Sequence, residues 1–384
     1  MNLTLTETQT LVQKTAREFA QKVIAPEAAR LDAESRFPRE ILKGLADLGL
    51  MAVNVPEELG GSGAGALSYA LAMEEVAAAC ASTAVTMAVT NMVGEIIAHF
   101  GTPAQREFHC PRLADGTYAA GSFALSEAGA GSDPGGMSTT ATLLESGEGY
   151  VLRGDKQWIT SGAHAGVFIV WARTGNRETH AGTRGISCFL LDGGTPGLTI
   201  GKAEDKLGLR ASNTVPLVFD DIQLPKTALL GELNGGFKIA MMALDGGRVG
   251  ISAQAVGIAR AALAESVQYA RDRKQFGKAI GEFQGIQWKL ADMSTKLEAS
   301  RLLCYRAAAL KEAKKPFSRE ASMAKVFASE AAVEICNEAV QIHGGYGYTR
   351  DFAAERHLRD VRASTIYEGT SEIQRIVIAR SQLA

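Results

Sequence analysis

The spacing of apolar residues changes character twice along this chain, and that double switch limits the architectures open to it. Up to about Gly116 apolar residues recur at helical intervals. Leu11, Val12, Phe19, Val23 and Ile24 share one face of a helix that Thr6 can cap and Pro26 is expected to end. Pro38 opens a second helix, with Ile41, Leu42, Leu45 and Leu48 three and four residues apart. The loop ELGGSGAGAL then leads into an Ala-rich helical stretch. From about Ala120 to Gly231 the runs VFIVWAR, ISCFLLD and TVPLVFDDIQL read as short strands separated by turns such as DGGTPG. Such turns leave no room for crossover helices, which disfavours a parallel sheet. From about Asn234 helical spacing returns, marked by Ile258, Leu263, Val267, Leu290, Leu297, Leu302, Leu303 and Leu310. The expected fold is α+β: an N-terminal α-helical domain (1–119), a central antiparallel β domain (120–231) and a C-terminal helical bundle (232–384).

A length of 384 residues suits two or three domains, and 46% apolar with 21% charged residues is an ordinary soluble composition. The formal net charge of -2, with basic residues dispersed, gives no attraction to nucleic acid or an anionic membrane. Five scattered cysteines without a C-x-x-C suggest neither disulfides nor zinc, but a reducing compartment. The start MNLTLTETQT lacks signal-peptide character, so a cytoplasmic location is expected. Val76 to Gly94 is uncharged, but its Ala, Thr and Ser content reads as a buried helix rather than a membrane span.

Generic nucleotide motifs fail. Gly129-Ala130-Gly131 runs into Ser132, Asp133 and Pro134, an incomplete G-x-G-x-x-G, and no P-loop lysine or metal-binding histidine pattern is present. Three segments remain that look too specific for scaffold. FALSEAGAGSDPGG (123–136) has small residues that let backbone approach a flat or phosphorylated ligand, although a plain turn into the β domain explains it equally well in isolation. KQWITSG (156–162) places Trp158 and Thr160 on one face of a strand, where a core tryptophan is the competing reading. IYEGTSEIQRIVIAR (366–380) offers a helix start, with Ser371 and Gln374 fitting a capping box and Glu368 just before it, next to Gly369. A lone acid there would ordinarily be a surface residue, but Ile366 and Tyr367 argue for an apolar setting.

In this order and spacing, and with PEELGG (56–61), DRKQFGKAI (272–280), QIHGGYGY (341–348) and RHLRD (356–360), these segments resemble the acyl-CoA dehydrogenase family over essentially the whole chain. The resemblance implies a C-terminal four-helix bundle and FAD as cofactor. It places Phe123, Leu125 and Ser126, with Trp158, Ile159 and Thr160, at the flavin. Arg273 and Gln284 would hold the pyrophosphate and adenine half, with Gln341, Ile342, Gly344 and Gly345 serving from a neighbouring subunit. Thr370, Ser371 and Glu372 would contact FAD near the base. Ser132, Asp245, Arg248, Tyr367 and Gly369 resemble contacts to the acyl-CoA. Glu368 would be the base, with its own backbone N–H helping to bind the thioester oxygen. One subgroup carries its base as a Glu directly before the residue matching Arg248; here that position is Gly247.

The chemistry fits these roles. A carboxylate of ordinary pKa, about 4.3, is too acidic to remove a proton next to a thioester. Burial would raise it, and hydrogen bonds to the developing enolate would lower the barrier. The implied activity is conversion of an acyl-CoA to the trans-2-enoyl-CoA, as in fatty acid β-oxidation. An electron-transferring flavoprotein would be the partner and a homotetramer the assembly, with no nucleic acid or membrane involved. LDGGRVG, ALKEAKKPFSREASMAK and AERHLRD look most like short-chain, butyryl-type members. ASTAVTMAVTNMVG (81–94), expected at the end of the acyl pocket, has no Arg, Lys or His to hold a second carboxylate. Rival readings are an acyl-CoA oxidase, a nucleic-acid-associated relative of the fold and a non-catalytic CoA-ester scaffold.

Overall fold

The protein is described here from a computed structural model covering residues 4–176, 180 and 182–383. Helix α1 (Glu7–Phe19) opens on Thr6, whose hydroxyl accepts from Gln9 N while the Gln9 side chain accepts from Thr6 N. Pro26 does not end it. A wider turn over Ala20–Ile24 and a tighter one over Ala25–Glu27 carry the chain into α2 (Ala28–Glu34), because a change of pitch accommodates the donor that proline lacks. Helix α3 (Arg39–Asp47) buries Ile41, Leu42 and Leu45, whereas Leu48 lies past its end and is 40% exposed. The Ala-rich stretch is two helices, α4 (Ala66–Ala79) and α5 (Ala81–Phe100), broken where Cys80 is extended; α6 (Pro103–Ala114) follows. Among the described residues α5 alone is long and apolar enough to cross a membrane, and 89% of that window is packed inside the protein.

The middle of the chain forms β1 (Ala120–Ala124), β2 (Thr140–Leu143), β3 (Gly149–Thr160), β4 (Ala165–Arg173), β5 (Ile186–Asp192), β6 (Leu198–Ile200), β7 (Thr214–Pro225) and β8 (Leu229–Leu230). They lie in the order β6-β7-β3-β2-β4-β5-β8, with β1 added against β4. Most pairs are antiparallel, but β1 runs parallel to β4, and a single parallel bridge joins β2 to β4, so the sheet is mixed. The expectation of a purely antiparallel sheet assumed that only a helix can make a parallel crossover; here the β2–β3 hairpin makes it. Strand β4 is buried on both faces. Val167, Ile169 and Trp171 pack towards α5 and α6, while Phe168, Val170 and Ala172 pack against the rest of the sheet. The indole N–H of Trp171 donates to Gly236 O at 2.7 Å, pinning the sheet to the helix that follows.

That helix is α7 (Gly236–Asp272), followed by a short hairpin of β9 (Lys274–Gln275) and β10 (Lys278–Ala279), then α8 (Gln284–Glu312), α9 (Ser318–His343), α10 (Ala354–Val361) and α11 (Ser371–Leu383). Glu74 and Glu75, buried on α4, bind this bundle to the N-terminal helices: Glu74 pairs with Arg301 at 3.0 Å and Glu75 with Arg17 and Arg260 at 2.7 Å. Glycines on α7 permit close approach. A Cβ at Gly250 would lie 2.4 Å from the Tyr69 hydroxyl, and one at Gly257 would lie 2.4 Å from Glu74 O.

Candidate active site

Glu368 sits in a turn between α10 and α11 with φ 54, followed by Gly369 with φ 87. Two successive left-handed residues reverse the chain so that the carboxylate points back at α7. A Cβ built on Gly247 would lie 2.5 Å from Glu368 Oε2, so the acid is seated against bare helix backbone. Its Oε2 is out of solvent and has no hydrogen-bond partner among the described residues. Burial pushes the Glu368 carboxyl up to about 7, against the opposing pull of Arg248 and Lys325. The N–H of Glu368 donates to no protein acceptor among the described residues and is free for a ligand.

The turn is fastened from below. Lys325 Nζ on α9 donates to Gly369 O at 2.7 Å, and Gln374 Nε2 donates to Gly369 O at 2.8 Å and Glu368 O at 3.1 Å. The helix cap differs from expectation. Thr370 is the capping residue, its hydroxyl accepting from Ile373 N, and Gln374 holds the preceding loop instead of closing a capping box with Ser371. Ser371 Oγ and Gln374 Oε1 are buried without partners among the described residues. Glu372 is exposed. The Tyr367 hydroxyl donates to Gln254 Oε1, and Gln254 Nε2 reaches Ala81 O at 2.8 Å, which couples the turn to the start of α5.

Segments 123–136 and 156–162 are brought together. Ser122 Oγ donates to Thr160 O at 2.7 Å, and Gln157 N donates to Ser126 O at 2.9 Å. Beneath them Lys156, wholly buried, donates to Leu125 O at 3.1 Å and Glu127 Oε1 at 2.8 Å. Burial would raise the Glu127 carboxyl, but the Lys156 charge and hydrogen bonds from Lys156, Ser138 and Thr139 outweigh it and hold it at about 2. Trp158 is no core residue: it is 60% exposed and held at φ 64 where β3 bulges against β7. Trp171 takes the core role. Thr160 shares the Trp158 face, but Ile159 points the other way into the sheet core, so only its backbone can serve a ligand. Phe123 packs on Trp171 at a 4.3 Å centroid distance, and Leu125 is buried. Ser132 is exposed, and Cβ atoms at Gly129 and Gly131 would meet nothing within 4 Å.

Asp245 and Arg248 bind each other at 2.5 Å, with Ser318 donating to Asp245 at 2.8 Å and Arg248 reaching Ser322 at 3.3 Å. Arg248 is 5% exposed, and its charge acts on Glu368. Arg273, Gln284, Gln341, Gly344 and Gly345 gather exposed around the β9–β10 end of the bundle, the Arg273 guanidinium 5.7 Å from the Tyr346 ring. Among the described residues no hydrogen bond joins them to 123–132 or 158–160. Ile342 is buried in the bundle core and can offer only backbone. Lys325 and Gln254 were not singled out in the sequence. The one available signal for Lys325 was a lysine on the Ala321, Ala324, Ala328 stripe of small core residues.

The chain matches the acyl-CoA dehydrogenase N-terminal domain over residues 6–117, the middle domain over 122–222 and the C-terminal domain over 234–383. It is 52% identical to the mitochondrial short-chain specific acyl-CoA dehydrogenase of Bos taurus over 98% of this chain and 90% of that protein. The butyryl-CoA dehydrogenase structure from Megasphaera elsdenii is similar at a TM-score of 0.97 and 44% identity, covering all of both chains. A chain in the solved electron transferring flavoprotein of Acidaminococcus fermentans gives the same score, identity and coverage.

Proposed function

The chain belongs to the acyl-CoA dehydrogenase family, and from that premise we propose that it oxidises a short, uncharged acyl-CoA to the trans-2-enoyl-CoA, with Glu368 removing the α proton. The observation that carries this reading is the Glu368 carboxylate: turned onto Gly247, withdrawn from water and raised to about 7, it is a base matched to neutral pH. The free Glu368 N–H is the donor for the thioester oxygen, so one residue binds the carbonyl and takes the adjacent proton.

The cofactor is FAD, and the residues present fit it. The Ser126 loop has open space over Gly129 and Gly131, Trp158 presents an exposed indole, and the buried Gln374 Oε1 has no partner among the described residues. Ser126, Trp158 and Thr160 with the backbone of Leu125 and Ile159 are assigned to the ring, and Thr370 to Glu372 to the part nearest the base. When bound, FAD supplies the hydride acceptor for the β carbon. Arg273, Gln284 and the 341–345 segment are assigned to the cofactor of a neighbouring subunit in a homotetramer. Phe276 at 94% and Tyr348 at 87% exposure support a covered surface there.

The acyl group is uncharged on this reading. A cation does come close: Lys311 Nζ lies 2.9 Å from where a Gly246 Cβ would be. It arrives from α8, not from α5, and is already paired to Glu95 at 2.7 Å. Lys311 is therefore not free to pair with the second carboxylate of a dicarboxylic substrate. The Bos taurus and Megasphaera elsdenii relatives support the short-chain assignment, and an electron-transferring flavoprotein is the proposed acceptor.

Glu368→Gln tests the reading: kcat on butyryl-CoA is expected to fall by about 10²–10⁴-fold while flavin content and substrate binding persist. Turnover within a few-fold of the parent would place the base elsewhere.

A further inference from the structure

We propose that Lys325 is a positioning residue for this reaction: from α9 it fastens the turn that carries Glu368 and, together with Arg248, sets a positive charge beside its carboxylate. The inference rests on the assignment of Glu368 as the base.

Lys325 is 0% exposed, and its Nζ donates to Gly369 O at 2.7 Å. Its neighbours on that face of α9 are Ala321, Ser322, Ala324, Ala328 and Ser329, where an apolar side chain would pack at less cost. Among the described residues no carboxylate lies within ion-pair distance of it, so it is a buried ammonium without a salt bridge. Glu368, whose Oε2 is out of solvent, likewise has no salt bridge among the described residues. The two are explained together. Each is the attractive charge the other lacks, held apart far enough that the acid still faces the substrate.

Other charges facing this pair are spoken for or work against it. Arg248 on α7 is bonded to Asp245, which also accepts from Ser318. On α9 itself Glu330 pairs with Arg375 at 2.7 Å, and Glu372 on α11 is exposed. Glu95 on α5 pairs with Lys311 on α8. Tyr69 on α4 and Tyr367 in the turn are both neutral, their hydroxyls pushed up by burial and then by Glu368 or Glu95. Among the described residues Lys325 is thus a cation beside Glu368 with no ion-pair partner of its own, whereas Arg248 shares its charge with Asp245. Burial pulls its ammonium down to about 8, with Glu368 the largest opposing influence, while Arg248 and then Lys325 oppose the rise of Glu368.

The same side chain also has a mechanical role. Glu368 and Gly369 are consecutive left-handed residues, and their carbonyls are held only by Lys325 and Gln374 among the described residues. Charge and clamp are separable, because a glutamine at 325 can donate to a carbonyl but carries no charge.

The test is the pH dependence of kcat/KM on butyryl-CoA for the flavin-loaded parent, Lys325→Met, Lys325→Gln and Glu368→Gln. Loss of the cation raises the base, so the acidic limb should move to higher pH by about one unit in both Lys325 variants. Activity should then fall about tenfold at pH 6 and much less at pH 9. The clamp predicts a further, pH-independent loss in Lys325→Met that Lys325→Gln relieves. If Met disrupts folding, the Gln variant alone decides the charge role. A limb superimposable on the parent in Lys325→Gln, with Glu368→Gln inactive, overturns this proposal and leaves the base assignment standing. An active Glu368→Gln enzyme overturns the assignment itself, and this proposal with it.

Discussion

Replacing Gly247 by Ala should separate activity from stability. The added Cβ would lie 2.5 Å from Glu368 Oε2, 2.9 Å from Cδ and 3.2 Å from Oε1, and no other heavy atom comes among the three nearest. Restoring an ordinary contact of 3.4 Å to Oε2 requires the carboxylate to retreat by about 0.9 Å. A carboxylate at the end of a rotatable side chain can make that move cheaply, whereas a backbone neighbour could not. The helix itself gains, since Ala in place of a mid-helix Gly is favourable by about 0.5–1 kcal/mol. Folding is therefore expected to be unchanged or slightly improved. Catalysis is not, because a misplacement of about 1 Å at a reacting group costs on the order of 10²-fold. Thermal melting, flavin absorbance and kcat/KM on butyryl-CoA should be measured on the same preparation. A normally folded, flavin-loaded variant with the parent's kcat/KM would refute the claim that the base works from this seat. A collapse in melting temperature would refute the claim that only the side chain has to move.

Because Glu368 must be ionised to act and is raised to about 7, kcat/KM should climb with pH through that value, whereas an ordinary carboxylate would already be ionised by about pH 5.5. A flat profile from pH 5 to 8 contradicts this. Lys156→Met leaves Glu127 charged and buried, at an expected cost of about 3–5 kcal/mol; purified variant should melt lower and lose flavin on gel filtration, and full retention of both would show the pair to be dispensable. Phe276→Asp places a charge on the exposed tip of the β9–β10 hairpin and should shift sedimentation from the proposed tetramer to smaller species with weaker FAD retention; sedimentation identical to the parent's would remove this hairpin from the interface.

What could be read without the structure was what the chain encodes over a few residues. Thr6 caps α1 as its position implied, the β-prone runs are strands, and the unbroken apolar run of β4 matches a strand covered on both faces. The turn next to Gly369 and the helix start after it were legible because those residues are contiguous, whereas the base role of Glu368 was expected from the resemblance. Local dihedral preferences and side-chain periodicity act over three or four residues, so they survive in a linear text. The rest depended on which faces meet. Ile159 and Trp158 are adjacent, yet one is core and the other surface, because a bulge against β7 sets the local geometry. Arg248 is held beneath the surface by Asp245 and Ser322, with Ser318 fixing Asp245. Parallel pairing of β1 with β4, the seat at Gly247 and the approach of Lys325 join segments 40 to 120 residues apart, on the order of a whole domain. Those juxtapositions are set by the packing of long helices and a mixed sheet around shared cores, where complementarity of whole faces, not the preference of any one segment, selects the partner.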